Sequence, residues 1–348
     1  MNFNNLIGND TIKNILKTNV INNNTVHSYM FLGPEGIGKS LFANDFAEML
    51  MCSSQKEKSC GKCKSCLEFD SKNNPDFFLI NNDGKSIKID IIRKLQEKII
   101  EKPIVSEKKI YIINNADTMT VEAQNCLLKT LEEPPEYVVI ILIITNESNI
   151  LPTIKSRCMK MVFNKIEEKE FKNYILKDIN ALNTSKDIIN DNDITGNQHG
   201  TKIKNIENVL NIKDNILNNI DERYTIKDSI LKMCDGSLGK WQKIKNKLEQ
   251  YDIIDNAISN IEIKDKLEIM KDLEIIYKSK EEIMDYLEFI NVLLYDNFLK
   301  NNNYKYINSI DIVEKTRKNL LANSNYDMSI DNLIFKIWEE INEEYSWC

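Results

Sequence analysis

Tyr29-Met30-Phe31-Leu32 runs directly into Gly33-Pro34-Glu35-Gly36-Ile37-Gly38-Lys39-Ser40. An apolar run, a glycine-rich octet and a helical pattern from Lys39 read as strand, turn and helix in that order. The octet fits the phosphate-loop pattern G-x-x-x-x-G-K-[ST]. Its glycines let the backbone curl so that N–H groups face phosphate oxygens at a helix N-terminus. Lys39 then reaches the terminal phosphates, and the Ser40 hydroxyl is placed for Mg²⁺. A chance glycine turn is the plainer reading, but the chain has only 10 glycines in 348 residues, so an accidental match is rare. Gly33, Gly36, Gly38, Lys39 and Ser40 are therefore candidate nucleotide-binding residues.

Outward from this octet the same rhythm repeats. Phe77–Ile80, Lys109–Ile113 and Val138–Ile144 read as strands, with helices from Lys39, through Ile87–Ile100 and through Glu122–Leu131. Strands alternating with helices predict an α/β domain built on a parallel sheet covered on both faces. Val138–Ile144 is apolar throughout, as a central strand buried on both sides must be. From about Glu167 the strand signal fades and amphipathic helical spacing takes over. A polar stretch from Asn190 to Thr201 reads as a loop or insertion, and Asp235-Gly236-Ser237 as a second break. The expected division is 1–163, 164–243 and 244–348, the last two helical.

A net charge of −7 argues against a free-standing DNA-binding protein, which needs a basic face, so any DNA contact is local or shared. No apolar run resembles a signal peptide or approaches the roughly 20 residues of a membrane helix, so a cytoplasmic protein is expected. In that reducing compartment the eight cysteines are not a disulfide framework. Four of them, Cys52, Cys60, Cys63 and Cys66, fall within fifteen positions with Gly61 at the turn. Four soft ligands with no open position point to a structural tetrahedral Zn²⁺ in a module spanning 52–66. An iron–sulfur cluster and a disulfide pair are the alternatives.

Hydrolysis needs more than the loop. One carboxylate must hold Mg²⁺ and another orient water at the end of a neighbouring strand. Lys109–Ile113 ends in Asn114-Asn115-Ala116-Asp117, with amides at those two positions. An amide accepts a hydrogen bond but neither offsets metal charge nor acts as a base. A shifted Asp117 is the alternative metal ligand. The expectation is a nucleotide site with slow hydrolysis or none.

Three more stretches add a resemblance. Ala123-Gln124-Asn125-Cys126-Leu127-Leu128-Lys129-Thr130-Leu131-Glu132-Glu133-Pro134-Pro135 resembles the segment that follows the second nucleotide motif in bacterial clamp-loader subunits. Thr145-Asn146 stands where that family has a polar sensor residue, and Ser156-Arg157-Cys158 matches its S-R-C motif. With the phosphate loop and cysteine knot, these cover about the first 165 residues. The chain is thereby identified as similar to the AAA+ clamp-loader subunits. Asn114-Asn115 and the start at Asn4-Asn5-Leu6-Ile7-Gly8 are nearer the delta-prime type than the hydrolysing gamma/tau type, which is the alternative.

The resemblance implies an AAA+ sheet domain with a zinc insertion, a helical lid and an all-helical C-terminal collar. It implies a hetero-pentamer with gamma/tau and delta subunits, acting on a sliding clamp and primer-template DNA, with ATP and Mg²⁺ as ligands. Arg157 would be an arginine finger reaching a neighbour's ATP, because guanidinium is permanently charged and forks to phosphate oxygens. On its residues alone Arg157 reads as a helix cap or the partner of a surface carboxylate. Thr145 joins the nucleotide-binding candidates. Asp235-Gly236-Ser237-Leu238-Gly239-Lys240 resembles the lid segment, with Gly239 where active subunits carry a sensor arginine. The chain has no further constellation of carboxylates for polymerase chemistry, although the DNA polymerase III holoenzyme of this family synthesises DNA. Met30, Phe31, Tyr111 and Val138 read as core, His27 as a local hydrogen-bonding residue, and Lys108-Lys109 and Lys169–Lys172 as solvated faces. Trp241 and Trp338 read as packing residues of helices.

Overall fold

The computed structural model describes residues 6–54, 59–81, 85–191 and 226–342. All of Asn190–Thr201 beyond Asp191 lies outside them, and Asn190 and Asp191 close a helix rather than open a loop. Contacts divide the chain into two compact units, one running to Phe171 with Gly236–Lys240 added, the other formed by Lys172–Asp235 and the chain from Trp241 onward.

The first unit is a five-stranded sheet. In chain order its elements are α1 (Asp10–Ile21), β1 (Ser28–Leu32), α2 (Lys39–Met51), α3 (Lys64–Asp70), β2 (Phe77–Ile80), α4 (Ile89–Ile99), β3 (Lys109–Ile113), α5 (Val121–Glu132), β4 (Val138–Ile144), α6 (Pro152–Lys155) and β5 (Met159–Val162). The strand order is β2-β3-β4-β1-β5, every pair parallel. β1 lies in register with β4, from Ser28 opposite Ile140 to Leu32 opposite Ile144. This places the loop after β1 beside the ends of β3 and β4.

Period-two alternation sorts the strand residues onto two faces. Tyr29, Phe31, Ile110, Ile112, Val139, Ile141 and Ile143 pack against α1 and α2 through Leu16, Phe42 and Phe46. Met30, Tyr111, Val138, Ile140 and Leu142 pack on the other face against α4 and α5 through Ile92, Leu95, Leu127 and Leu131. The seven residues of β4 are all buried, because both faces are covered. β5 carries no such signal: only Met161 of its four residues is buried, as an edge strand allows, and four residues interrupted by Lys160 are too short a run to stand out in the sequence.

One reading is corrected. Lys108 is half-buried, its ammonium donating to the Glu136 carbonyl at 2.9 Å, and Lys109 is 2% exposed rather than part of a solvated face. Its ammonium donates to the carbonyls of Lys98 at 2.8 Å and Glu101 at 3.1 Å and lies over the Phe78 ring. A buried charge is tolerated because carbonyl acceptors replace its water.

The second unit is helical over its described residues. It holds most of α7 (Glu168–Asp191), then α8 (Asp228–Cys234), α9 (Leu238–Ile244, whose first residues belong to the first unit), α10 (Leu248–Ser259), α11 (Lys266–Asp272), α12 (Glu274–Lys278), α13 (Ile283–Asn301), α14 (Lys305–Leu321) and α15 (Tyr326–Asn342). α13 is the central rod, packed by α8, α10 and α14, with α15 on α14. Tyr251 meets Tyr286 and Phe289 edge-on at 5.5 and 5.1 Å. Trp241 is fully buried and its indole N–H donates to Asp178 at 2.8 Å; that of Trp338 donates to the Lys264 carbonyl. Both tryptophans are packing residues. No described helix is long and apolar enough to cross a membrane.

Candidate nucleotide and metal sites

The phosphate loop curls between β1 and α2 as its sequence requires. Gly38, which caps α2, has φ 97°, a conformation that costs a side-chain-bearing residue. Lys39 is 6% exposed, and its ammonium donates to the carbonyls of Gly33 and Pro34 at 2.6 Å each. The lysine thus lies folded over its own loop. Burial pulls its pKa down to about 8, against the attraction of Asp117 and Glu35.

The end of β3 meets the loop with neutral groups. The Ser40 hydroxyl donates to the Asn114 amide oxygen at 3.4 Å, and the Asn114 amide donates to Asn81 at 3.3 Å. Asn115 turns the chain away with φ 50°. Asp117 is otherwise engaged: one of its oxygens accepts the N–H groups of Thr145 at 3.1 Å and Asn146 at 2.8 Å. The carboxylate therefore pins the end of β4, and with it the expected sensor position Thr145. Gln124 in α5 secures the next turn, donating to the carbonyls of Met119 and Asn149 and accepting from the Leu151 N–H.

Gly236–Lys240 returns to this loop. The Gly239 N–H donates to the Gly36 carbonyl at 2.7 Å, and the Ser237 hydroxyl donates to the Glu35 carbonyl at 3.4 Å. The backbones are so close that a Cβ on Gly239 would stand 2.8 Å from the Gly36 Cα. Arginine at 239, the residue the family resemblance leads one to look for, requires the segment to move off the loop. The conflict is between a Cβ, whose place is fixed by the backbone, and the Gly36 main chain, so a rotamer change cannot relieve it.

Arg157 follows α6 and precedes β5. Its guanidinium donates through Nη2 to Glu132 Oε1 at 2.7 Å and through Nη1 to the Thr153 carbonyl at 2.8 Å, and the Arg157 carbonyl accepts from Ser28 at 2.7 Å. The surface carboxylate considered from the sequence is thus present in the resting chain. Glu132 sits inside the stretch that carried the resemblance, yet its place opposite Arg157 depends on how α5 and α6 pack, which spacing does not reveal.

The four cysteines converge. Cys52 and Cys66 are buried, Cys60 and Cys63 half-buried, and all are free thiols. Their sulfurs lie within 4.8 Å of one another, Cys60 to Cys66 at 4.0 Å. A tetrahedral thiolate site with metal–sulfur bonds of about 2.3 Å has sulfur–sulfur edges of about 3.8 Å, so the set fits such an ion with little movement. Backbone N–H groups of Cys60, Cys63 and Cys66 donate to the sulfurs of Cys52, Cys60 and Cys63. At Cys63 burial opposes ionisation, but donors from Cys66 and Ser53 outweigh it and bring the thiol to about 6. Cys52 is lowered in the same way, against burial, by donors from Ser54 and Cys60, whereas burial and then Cys63 raise Cys66.

A buried polar web that sequence reading missed ties this knot to the sheet. Asn74 donates to the carbonyl and hydroxyl of Ser65, which neighbours Cys66, and Ser65 meets Ser106 at 2.8 Å. Asp76, fully buried, accepts the N–H groups of Ile104, Val105 and Ser106 at 2.7 to 2.8 Å. An Asn and an Asp eight and ten residues past the last cysteine of the knot are ordinary loop residues in a sequence, and only the fold buries them.

Comparison with known proteins places these features in context. Residues 8–167 match the protein family described as DNA polymerase III, delta subunit. DNA polymerase III subunit delta' of Bacillus subtilis is 37% identical over 151 residues, which cover 43% of this chain and 46% of that protein. The gamma/tau subunit of Mycoplasma pneumoniae is 35% identical over 164 residues, covering 47% and 24%. That of Mycoplasma genitalium is 26% identical over 344 residues, covering 98% and 54%. The chain spans about half the length, or less, of these relatives.

Proposed function

We propose, on the premise that residues 8–167 belong to the DNA polymerase III delta-subunit family of clamp-loader proteins, that this chain is a delta-prime-type subunit of a replicative clamp loader. In this reading it assembles with gamma/tau and delta subunits into a cytoplasmic hetero-pentamer that places a sliding clamp on primer-template DNA. Residues 164–243 serve as lid and 244–348 as collar. The chain holds nucleotide at Gly33, Gly36, Gly38, Lys39, Ser40 and Thr145 but turns it over slowly or not at all, and Arg157 serves the ATP of a neighbour.

One observation carries the non-hydrolysing part: Ser40 faces the Asn114 amide where a metal-holding carboxylate is needed, and Asp117 is occupied with Thr145 and Asn146. Mg²⁺ held by a loop hydroxyl and an uncharged amide loses the anionic ligand that secures it, and water has no base. Arg157 carries the partner role because it is partly exposed and its guanidinium is not engaged by the phosphate loop. Cys52, Cys60, Cys63 and Cys66 would hold Zn²⁺, which supplies cross-linking and no chemistry on substrate.

A second reading, a gamma/tau-type motor, draws on the match to the Mycoplasma genitalium gamma/tau subunit along nearly the whole chain. DNA- and clamp-stimulated ATP turnover separates the two, measured for the chain alone and with its gamma/tau and delta partners. On the delta-prime reading the chain alone is inert, Lys39→Ala leaves the mixture active, and Arg157→Ala lowers turnover at the affected site by about 10³ or more. Turnover by the chain alone that Lys39→Ala abolishes would establish the motor.

A further inference from the structure

We infer that Glu132 is a positioning residue for Arg157, holding the guanidinium oriented for an anion on a neighbouring molecule. This rests on the proposed role of Arg157 and adds to it the group that sets its direction. Glu132 is the last residue of α5 and Thr153 lies in α6, so Nη2 and Nη1 are held by two separate helices, at 2.7 and 2.8 Å. Ser156 offers Nη1 a weaker acceptor at 3.4 Å. The backbone is fixed as well, by Ser28 at the carbonyl and by the Ile154 carbonyl at the N–H.

Guanidinium has five N–H groups in a rigid fork. The three acceptors take at most three, which leaves Nε–H and one Nη2–H for an incoming phosphate oxygen. The side chains are 34% and 48% exposed, and ion pairs this open contribute little to stability. Their effect is geometric: an arginine already ordered at rest has less freedom to lose when it meets phosphate. The helices that supply the acceptors are themselves anchored, α5 by its Thr120 cap and both by Gln124 through Met119 and Leu151, so the pinning is rigid.

The test is steady-state ATP turnover by the clamp loader reconstituted from the full chain and its partner subunits, comparing E132A, E132Q, R157A and E132A/R157A. Glutamine keeps an oxygen acceptor for Nη2 and removes the charge; alanine removes both. If Glu132 positions Arg157, E132A lowers kcat about tenfold with KM for ATP unchanged, E132Q recovers to within about twofold of wild type, and the double variant is no worse than R157A. Unchanged or raised kcat in E132A, no recovery in E132Q, or an additive double variant would each overturn it. Impairment by R157A without impairment by E132A removes Glu132 alone, whereas an R157A that turns over ATP like wild type removes the finger and its positioning residue together.

Discussion

Lys39 folds its ammonium back onto the carbonyls of Gly33 and Pro34. Its folded-state pKa lies at about 8, below the ordinary lysine value, because burial strips its water. The unfolded chain therefore binds more protons than the folded one between about pH 8 and the ordinary lysine range. The burial cost is carried in full below about 8 and relieved as pH rises through that window. Phosphate binding has the opposite need, since it uses the protonated form. Fluorescent-nucleotide titration should accordingly give an affinity about tenfold weaker at pH 9 than at pH 7, and Lys39→Met should lose that dependence along with most of the affinity. The second cation, Arg157, is held instead by Glu132 and the Thr153 carbonyl. Both residues were legible in sequence as members of motifs. Their resting partners were not, because carbonyls of the loop and Glu132 are supplied by backbone path and helix packing.

The loop, the knot and the returning segment are each elements held by close contacts of different kinds. At Gly239 two tendencies oppose each other. Alanine in a helix gains about 1 kcal/mol over glycine, but here its Cβ would meet the Gly36 Cα at 2.8 Å, and overpacking costs about 1 to 3 kcal/mol. The backbone contact wins, so Gly239→Ala should lower the thermal midpoint of the chain, as calorimetry would reveal. The cysteine knot makes a second prediction. Stripping metal with a chelator, or replacing Cys63 by Ser, should lower the midpoint by several degrees. Hydrogen exchange should quicken at Ile104, Val105 and Ser106, which bind Asp76, while β4 stays protected. Equal loss of protection across β4 would mean that the knot supports the whole sheet rather than this corner. The four cysteines announced themselves by spacing, whereas Asn74, Asp76 and Ser106 did not, since a polar residue reads as exposed until a fold buries it. β5 escaped for the converse reason: an edge strand with one buried residue leaves almost no periodic trace.

Across the molecule, the alternation of strands and helices was readable to within a residue or two for β1 to β4, because a sheet covered on both faces leaves continuous apolar runs. The helical remainder was readable as a class but not in its packing, since amphipathic spacing says which face is buried and not against which neighbour. The two-unit division has a further consequence. Gly236–Lys240 is part of the first unit although the residues on both sides of it belong to the second. A polypeptide emerging from synthesis has all of β1 to β5 in hand by Phe171, yet the piece that closes over Gly36 arrives only with Lys240, 240 − 171 = 69 residues later. At about 5 to 20 residues per second, the nascent phosphate loop waits roughly 3 to 14 s for its last neighbour.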